Sequence, residues 1–182
     1  MIIHLEGNLN RYYVQTLCMI FFPGATFSEG EIPSPDKPEL WVSRTKNENG
    51  YSASARAVLG ERSAEAEKEQ EQDGTMTDER CSKLAVGGAV IGALGSLLEY
   101  RPSWGMLTGV RPSKVATEML SAGMSKTKVK KTLTSQYMTF PKKAALATDV
   151  ALNEQKIIGT PNAADCSIYI SIPFCPTRCA YC

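Results

Sequence analysis

Residues 84–98 read LAVGGAVIGALGSLL and must be shielded from water in any fold that this 182-residue chain adopts. The stretch is shorter than the roughly 20 apolar residues that a helix needs to cross a bilayer. Gly88 and Gly92 form a GxxxG pattern, which allows close packing in lipid or in a protein core. We therefore expect a buried or half-buried helix of a soluble domain, and no membrane span.

The composition is typical of a globular protein, and the N-terminus and the placement of the cysteines favour the cytoplasm. Its hydrophobic fraction of 43% and charged fraction of 21% argue against global disorder and fibrous structure. Twenty basic and nineteen acidic side chains give a net charge of +1, so the whole molecule has no electrostatic bias toward nucleic acid or anionic membranes. The N-terminus, MIIHLEGNLNRYY, lacks the pattern of a signal peptide. In a reducing cytoplasm, clustered cysteines favour metal binding over disulfides.

Residues 1–60 predict a small β-α-β-β module with a three-stranded sheet. The β-prone start MIIHLE is followed by Asn8, which we expect to cap a helix that runs to about Phe22. Residues 40–45 and 51–59 predict two further strands. They are joined by the turn NENG at residues 47–50, and Asn-Gly is a strong hairpin signal because both residues tolerate positive φ.

Residues 61–80 contain eight acidic and three basic side chains and no aliphatic residue larger than Ala before Met76. Such a run is typical of a solvated helix or a flexible linker. We therefore predict an acidic linker at residues 61–80, which forms a boundary between two modules.

Residues 81–160 predict a helical accessory segment. One helix is expected from Cys81 to about Tyr100, a second opens near Ser113, and two more span about 125–137 and 141–157. Nine bases and one acid lie between residues 101 and 143. No aromatic platform is interleaved with these lysines, so a solvated basic face is favoured over a nucleic-acid site.

The last seventeen residues contain a cysteine motif that indicates metal binding. The run CSIYISIPF at residues 166–174 predicts a buried strand. Cys175, Cys179 and Cys182 follow it with the spacing C-x3-C-x2-C. Three close thiolates suit a soft metal centre. Cys166 precedes Cys175 by nine residues, most of them extended chain at about 3.3 Å per residue, so it is not expected to reach the same metal.

Three ligands distinguish a catalytic iron–sulfur cluster from the common alternatives. A structural zinc site and an electron-carrying [4Fe–4S] cluster both normally take four protein ligands. Three cysteines on a four-iron cluster leave one iron open to an external molecule. Zinc binding and incidental thiols remain the alternatives for this triad.

The residues around the triad resemble a known family. The cysteine spacing, with Tyr181 before the last cysteine, resembles the radical S-adenosylmethionine (SAM) superfamily. The approach Tyr169-x-x-Ile172-Pro173-Phe174-Cys175 is similar to that of the oxygen-independent coproporphyrinogen III oxidase (dehydrogenase) family. The segment WGMLTGVRPSK at residues 104–114 resembles the N-terminal extension of the Firmicutes-type branch of that family.

The resemblance implies a cofactor set and a reaction. It implies that Cys175, Cys179 and Cys182 bind a [4Fe–4S] cluster, that SAM chelates the fourth iron, and that Tyr169 and Tyr181 contact SAM. Cleavage of SAM by an electron from an external donor would yield a 5′-deoxyadenosyl radical. In the family, this radical starts the oxidative decarboxylation of two propionates of coproporphyrinogen III, which gives protoporphyrinogen IX in haem biosynthesis. No catalytic residue is assigned beyond these.

The sequence departs from the family in two places. Ser171 stands where better-known members have His, so no role of that His is carried over. The chain also stops at Cys182, before the further SAM-binding strands, the rest of the (β/α) barrel and the substrate pocket of the family. We therefore expect an α/β chain whose residues 161–182 are the first strand and cluster loop of a truncated radical-SAM barrel. This fragment is expected to be inactive by itself.

Two other functions remain open on the sequence. Haem-trafficking proteins share the IPFC-x3-C-x2-C region and bind haem, and the lysine-rich helices allow a nucleic-acid-binding accessory region. Arg111 and Lys114 are candidates to bind substrate carboxylates or phosphates. The alternative is a turn held by Pro112, in which the arginine caps backbone carbonyls. The remaining candidates are interpreted as structural: the single histidine, His4, and the apolar fillers Cys18, Cys81 and Cys166.

Overall fold

The computed structural model describes residues 1–27, 36–72, 74, 76–109, 111–159, 162, 164–166 and 168–177. The elements follow in the order β1 (Ile2–Glu6), α1 (Arg11–Phe21), β2 (Glu39–Asn47), β3 (Gly50–Leu59), β4 (Arg62–Glu71), α2 (Asp78–Leu98), α3 (Ser113–Ser121), α4 (Lys126–Ser135) and α5 (Pro141–Ile158). The mixture of one sheet and five helices in the described residues confirms the α/β class.

The four strands form one sheet in the order β1-β2-β3-β4. Strand β1 pairs parallel to β2, and the other pairs are antiparallel. Asn47 opposes Gly50 across the β2–β3 turn, which confirms the hairpin that Asn-Gly predicts. Leu40 and Val42 of β2 point into the core with the alanines of β3, and Trp41 between them lies on the open face.

Strand β4 corrects the prediction of an acidic linker at residues 61–80. Arg62–Glu71 pairs with β3 along its whole length. Ala64 and Ala66 are partly buried against the core, while Glu65 and Glu67 are exposed. The segment therefore alternates small and charged residues with the period of a strand, and its high charge is compatible with this because only one face is covered. Charges on such an edge also disfavour pairing with another chain.

Helix α2 is the central helix of the core. It begins at Asp78, where Thr77 caps it by accepting a hydrogen bond from the Arg80 amide. By length and composition it could cross a membrane, but 67% of its most apolar window is buried inside the protein, as in the core helix of a soluble protein. A Cβ on Gly92 would lie 2.8 Å from the Ala66 Cβ, so this glycine lets α2 approach β4 closely.

The other helices lie where the sequence predicts them, except that α1 begins at a different residue. Helices α3, α4 and α5 begin within a residue of their predicted starts. Helix α1 is capped by Asn10, whose Oδ1 accepts a hydrogen bond from the Tyr13 amide at 3.0 Å, and not by Asn8 as predicted. Asn8 still lies in the turn that follows β1, where the Leu9 amide donates to the Gly7 carbonyl.

The strand predicted near residues 168–172 is absent. Residues 168–175 belong to no strand and are exposed. A strand needs a neighbour that accepts and donates its backbone hydrogen bonds, and no described segment of the chain pairs with this one. The apolar, β-branched sequence alone does not supply that neighbour. The linker character of residues 61–80 is corrected by β4, and the rest of the division into modules, at residues 1–60, 81–160 and 161–182, stays a prediction.

Candidate functional sites

The cysteine motif lies at the end of the described chain. Cys175 is exposed and is not in a disulfide. Cys179, Tyr181 and Cys182 lie outside the described residues. Within the part of the chain that the structure describes, no three His, Cys, Asp or Glu side chains come together as a metal site. The structure therefore locates one of the three predicted ligands and leaves the geometry of the triad as a prediction.

The segment before Cys175 exposes an apolar surface. Ile168, Tyr169, Ile170, Ile172 and Phe174 are 78–90% exposed. Tyr169, the predicted SAM contact, is the most exposed of them at 90%, so it is not packed in the core. We call residues 168–174 the exposed apolar segment.

The donor set fits a [4Fe–4S] cluster by its chemistry. The Cys175 thiol is exposed, so a metal can reach it without any unfolding. Soft thiolate ligands select iron–sulfur clusters, zinc and copper(I) over hard cations. Cys175, Cys179 and Cys182 are the residues that would hold such a cluster.

The remaining cysteines separate into two kinds. Cys18 and Cys81 are buried, as expected of apolar fillers. Burial raises the pKa of the Cys18 thiol to about 12, so this thiol stays protonated at neutral pH and is a poor metal ligand. Cys166 corrects its prediction, because it is exposed and fills no space in the core.

His4 has the structural surroundings that were expected for it. Its ring stacks on Trp41 with the centroids 4.7 Å apart and the planes at 11°. Its Nε2 lies 3.3 Å from the Glu39 carboxylate. These contacts join β1 to β2 on the open face of the sheet.

A second candidate site is built by two loops, residues 101–109 after α2 and residues 136–140 before α5. The Met106 amide donates to the Tyr137 carbonyl at 2.9 Å, and the Phe140 amide donates to the Ser103 carbonyl at 3.0 Å. The Thr139 hydroxyl also donates to the Trp104 carbonyl at 3.2 Å. These bonds tie the two loops together along their length.

Two cation–ring contacts lie where these loops join. The Lys143 Nζ lies 5.1 Å from the centroid of the Trp104 ring, and the Arg101 Cζ lies 5.0 Å from that of Phe140. Phe140 is 37% exposed, and Trp104 is half-buried. We call these four residues the cation–aromatic cluster. Sequence reasoning missed it, because Trp104 and Phe140 are far apart in the chain and no local pattern links them.

An apolar cavity lies beside Trp104. It has a volume of about 420 Å³ and is open to solvent, between the 101–109 loop and helix α1. Its apolar walls include Met19, Ile20, Trp104 and Leu107. Ligand cavities typically have volumes of about 300–1,000 Å³ and apolar walls with a few polar groups.

Arg111 and Lys114 do not border that cavity. Arg111 lines a different cavity of about 670 Å³ between α3 and the end of α5, together with Glu154 and Gln155. The lysines of α4 are partly neutralised, because Lys126 and Lys130 lie 2.7 and 3.9 Å from Asp149 of α5. Those pairs hold α4 against α5 and support the interpretation of its basic face as a solvated surface.

Comparison with known proteins gives a match over part of the chain. No family model matches the chain. Over 83 residues it is 39% identical to the oxygen-independent coproporphyrinogen-III oxidase-like protein HemZ of Bacillus subtilis (strain 168). The match covers 43% of this chain and 16% of the length of HemZ. No solved structure matches. The chain is thus similar, over part of its length, to a coproporphyrinogen-oxidase-like protein.

Proposed function

We propose that this chain is the N-terminal region of a radical-SAM enzyme that oxidatively decarboxylates coproporphyrinogen III to protoporphyrinogen IX in haem biosynthesis. The observation that carries the proposal is the 39% identity to HemZ over 83 residues. The C-x3-C-x2-C motif supports it independently, through the chemistry of its donors. The proposed enzyme works in the cytoplasm on a porphyrinogen substrate and takes electrons from a separate donor.

In this proposal Cys175, Cys179 and Cys182 hold a [4Fe–4S] cluster, and Tyr169 and Tyr181 contact SAM. When bound, the cluster and SAM supply the radical that removes hydrogen from the substrate. The chain itself binds and orients these groups.

The residues around Cys175 favour metal binding by restricting the backbone and by supplying apolar side chains. Pro173 and Pro176 lie two residues before and one residue after it. Each proline restricts its own backbone, so the loop has less conformational entropy to lose when it closes around a metal. The exposed apolar segment beside Cys175 would exclude water from a cluster once another surface covers it.

The test compares two exposed cysteines of this chain. After anaerobic reconstitution with iron and sulfide, the unchanged chain should bind about four irons, the number in a [4Fe–4S] cluster. Cys175→Ala should abolish that iron and the electron paramagnetic resonance signal of the reduced cluster. Cys166→Ala, which removes another exposed thiol, should leave both unchanged. The measurements are the iron and sulfide content and the electron paramagnetic resonance spectrum of the reduced chain.

Two results would contradict the proposal. One is iron binding that survives Cys175→Ala. The other is its loss in Cys166→Ala, because four thiolates would leave no open iron for SAM.

A further inference from the structure

We propose that a cavity between the start of helix α1, strand β2 and the start of helix α2 binds a small organic monocarboxylate through the guanidinium of Arg44. The cavity has a volume of about 470 Å³ and is open to solvent. This volume lies within the usual range of ligand cavities, about 300–1,000 Å³. The site does not involve the cysteine motif, so it holds or fails separately from the proposed enzymatic function.

Arg44, which lines this cavity, is an arginine whose hydrogen bonding is incomplete. Its Nη1 donates to the Ser82 hydroxyl at 2.7 Å, and its Cζ lies 4.9 Å from the centroid of the Tyr51 ring. Its Nε is buried without a hydrogen-bond acceptor, and no carboxylate of the described residues forms an ion pair with it. A guanidinium has five N–H groups, so most of the donors of Arg44 remain for a ligand or water.

The two carboxylates that line the cavity do not neutralise this charge, because lysines already hold them. The Lys46 Nζ lies 2.9 Å from the Asp78 Oδ1, and the Lys83 Nζ lies 2.6 Å from the Glu79 Oε1. Of the described charges that line the cavity, only Arg44 therefore has no partner of opposite sign. One unmatched cation favours a ligand with one negative charge, since a second charge would meet no cation.

The other groups in the cavity fit an organic carboxylate. A planar guanidinium binds a planar carboxylate through two parallel hydrogen bonds. Leu9 and Val86 supply apolar wall for the carbon body of a ligand, which a compact inorganic anion lacks. Helix α1 begins at the cavity with its N-cap residue, Asn10, and has no acidic residue in its first turn. The positive end of its dipole therefore adds to the field of Arg44.

The three walls of the cavity are tied to one another before any ligand binds. The Tyr13 hydroxyl of α1 donates to the Lys83 carbonyl of α2 at 3.2 Å. The bond from Arg44 to Ser82 joins β2 to the same helix. A site whose walls are already ordered loses less entropy when it binds a ligand.

Titration of the ¹⁵N-labelled full chain with sodium benzoate, followed by two-dimensional nuclear magnetic resonance, tests the site. Sodium phosphate is titrated separately at the same pH of 6 and ionic strength, where both probes carry mainly one negative charge. We expect benzoate to shift the backbone amide signals of Asn10 and Ser82 and the Nε–H signal of Arg44 along one saturable curve. Phosphate should bind at least about tenfold more weakly, because it has no apolar body and does not match the planar guanidinium. Equal binding of phosphate, or benzoate shifts that do not saturate or that lie elsewhere, would overturn the proposal.

Variants of two arginines test the location. Arg44→Gln should weaken benzoate binding at least about tenfold. Arg44→Lys keeps the charge beside Tyr51 but loses the planar fork, so it should weaken binding at least about threefold and answers the question if the neutral variant does not fold. Arg56→Gln removes an arginine of β3 that lies over another ring, Trp41, and should change binding less than about twofold. Unchanged binding in the folded Arg44 variants, or equal weakening by Arg56→Gln, would contradict the site. None of these results concerns the iron content of the reconstituted chain, so failure here is distinguishable from failure of the cysteine site.

Discussion

Gly105 shows how one residue can hold a candidate site in shape. Its φ is +56°, in the left-handed region, and a Cβ at this position would lie 2.1 Å from the Tyr137 carbonyl oxygen. Only glycine accepts both the conformation and the close approach of the second loop. The contact that excludes a side chain is next to the Met106–Tyr137 hydrogen bond that joins the loops.

We therefore expect Gly105→Ala to lower the free energy of unfolding by roughly 2–4 kcal/mol, because it adds backbone strain and a steric clash with a main chain that cannot move aside. Gly109→Ala is the control, since a Cβ there meets nothing within 4 Å. Equilibrium unfolding in urea measures both. A Gly105→Ala variant as stable as the control would show that the two loops are not tied as described.

Asp78 links α2 to the sheet through its charge. Its carboxylate accepts a hydrogen bond from the Tyr51 hydroxyl, and the Lys46 Nζ lies 2.9 Å from its Oδ1. The hydrogen bond from Tyr51, followed by that from Lys46, lowers the pKa of Asp78 below its usual value of 3.8. The stabilisation is therefore fully present above that unfolded-state value and is lost as the pH falls through the lower folded-state pKa.

Asp78→Asn should consequently lower the melting temperature at pH 7, and the difference from the unchanged chain should shrink as the pH falls below about 4. Glu48→Gln makes the same carboxylate-to-amide change at an exposed turn residue and should have no comparable pH-dependent effect. Thermal unfolding followed by circular dichroism from pH 2 to 7 checks this. A difference that is constant over this range would exclude the charge as its cause.

At the scale of elements, β4 shows that a highly charged segment can be a regular strand. Its inner side chains, such as Ala66, contact α2, and its outer glutamates face water. Pairing with β3 satisfies the backbone on one side, and the small inner residues allow α2 to lie close. The strand therefore depends on its partners more than on the propensities of its residues.

A glutamine introduced on the inner face of β4 should destabilise the protein, whereas one on the outer face should not. Ala66→Gln places a polar group against Gly92, where there is no space, and should cost roughly 1–3 kcal/mol of unfolding free energy. Glu67→Gln, one residue along on the open face, should stay within about 0.5 kcal/mol. Urea unfolding of both variants measures the difference. Similar losses in the two would mean that the register of β4 is wrong.

At the scale of the whole molecule, the exposed apolar segment is the surface that most needs a partner. Five large side chains in its seven positions are 78–90% exposed, whereas the apolar side chains of the four strands, apart from Trp41, are buried or half-buried. A contiguous apolar patch of this kind, with backbone groups that no strand pairs, promotes association between chains.

Ile170→Lys with Ile172→Lys should therefore reduce concentration-dependent self-association without changing the melting temperature. Ile157→Lys with Ile158→Lys changes two other exposed isoleucines, at the end of α5, and serves as the control that should leave association largely unaltered. Sedimentation velocity over a range of concentrations compares them. If both pairs reduce association equally, added net charge and not the segment is responsible.

The sequence by itself determined the parts of this protein that depend on neighbours in the chain. The hairpin is specified by its Asn-Gly turn, and the helices from Ser113 onward by their apolar periodicity and by the capping Ser125, whose side chain accepts from the Lys128 amide. The cysteine spacing indicated a metal chemistry in the same way, because it is a local pattern.

The tertiary structure decided everything that depends on a distant partner. Arg62–Glu71 is a strand because β3 lies beside it, and residues 168–172 are not a strand because no described segment does. Lys143 reaches the Trp104 ring, and Arg101 the Phe140 ring, because two loops are hydrogen-bonded to each other. A backbone hydrogen bond or a ring contact is gained only when the chain brings its second member near, and a local sequence pattern contains no information about that member.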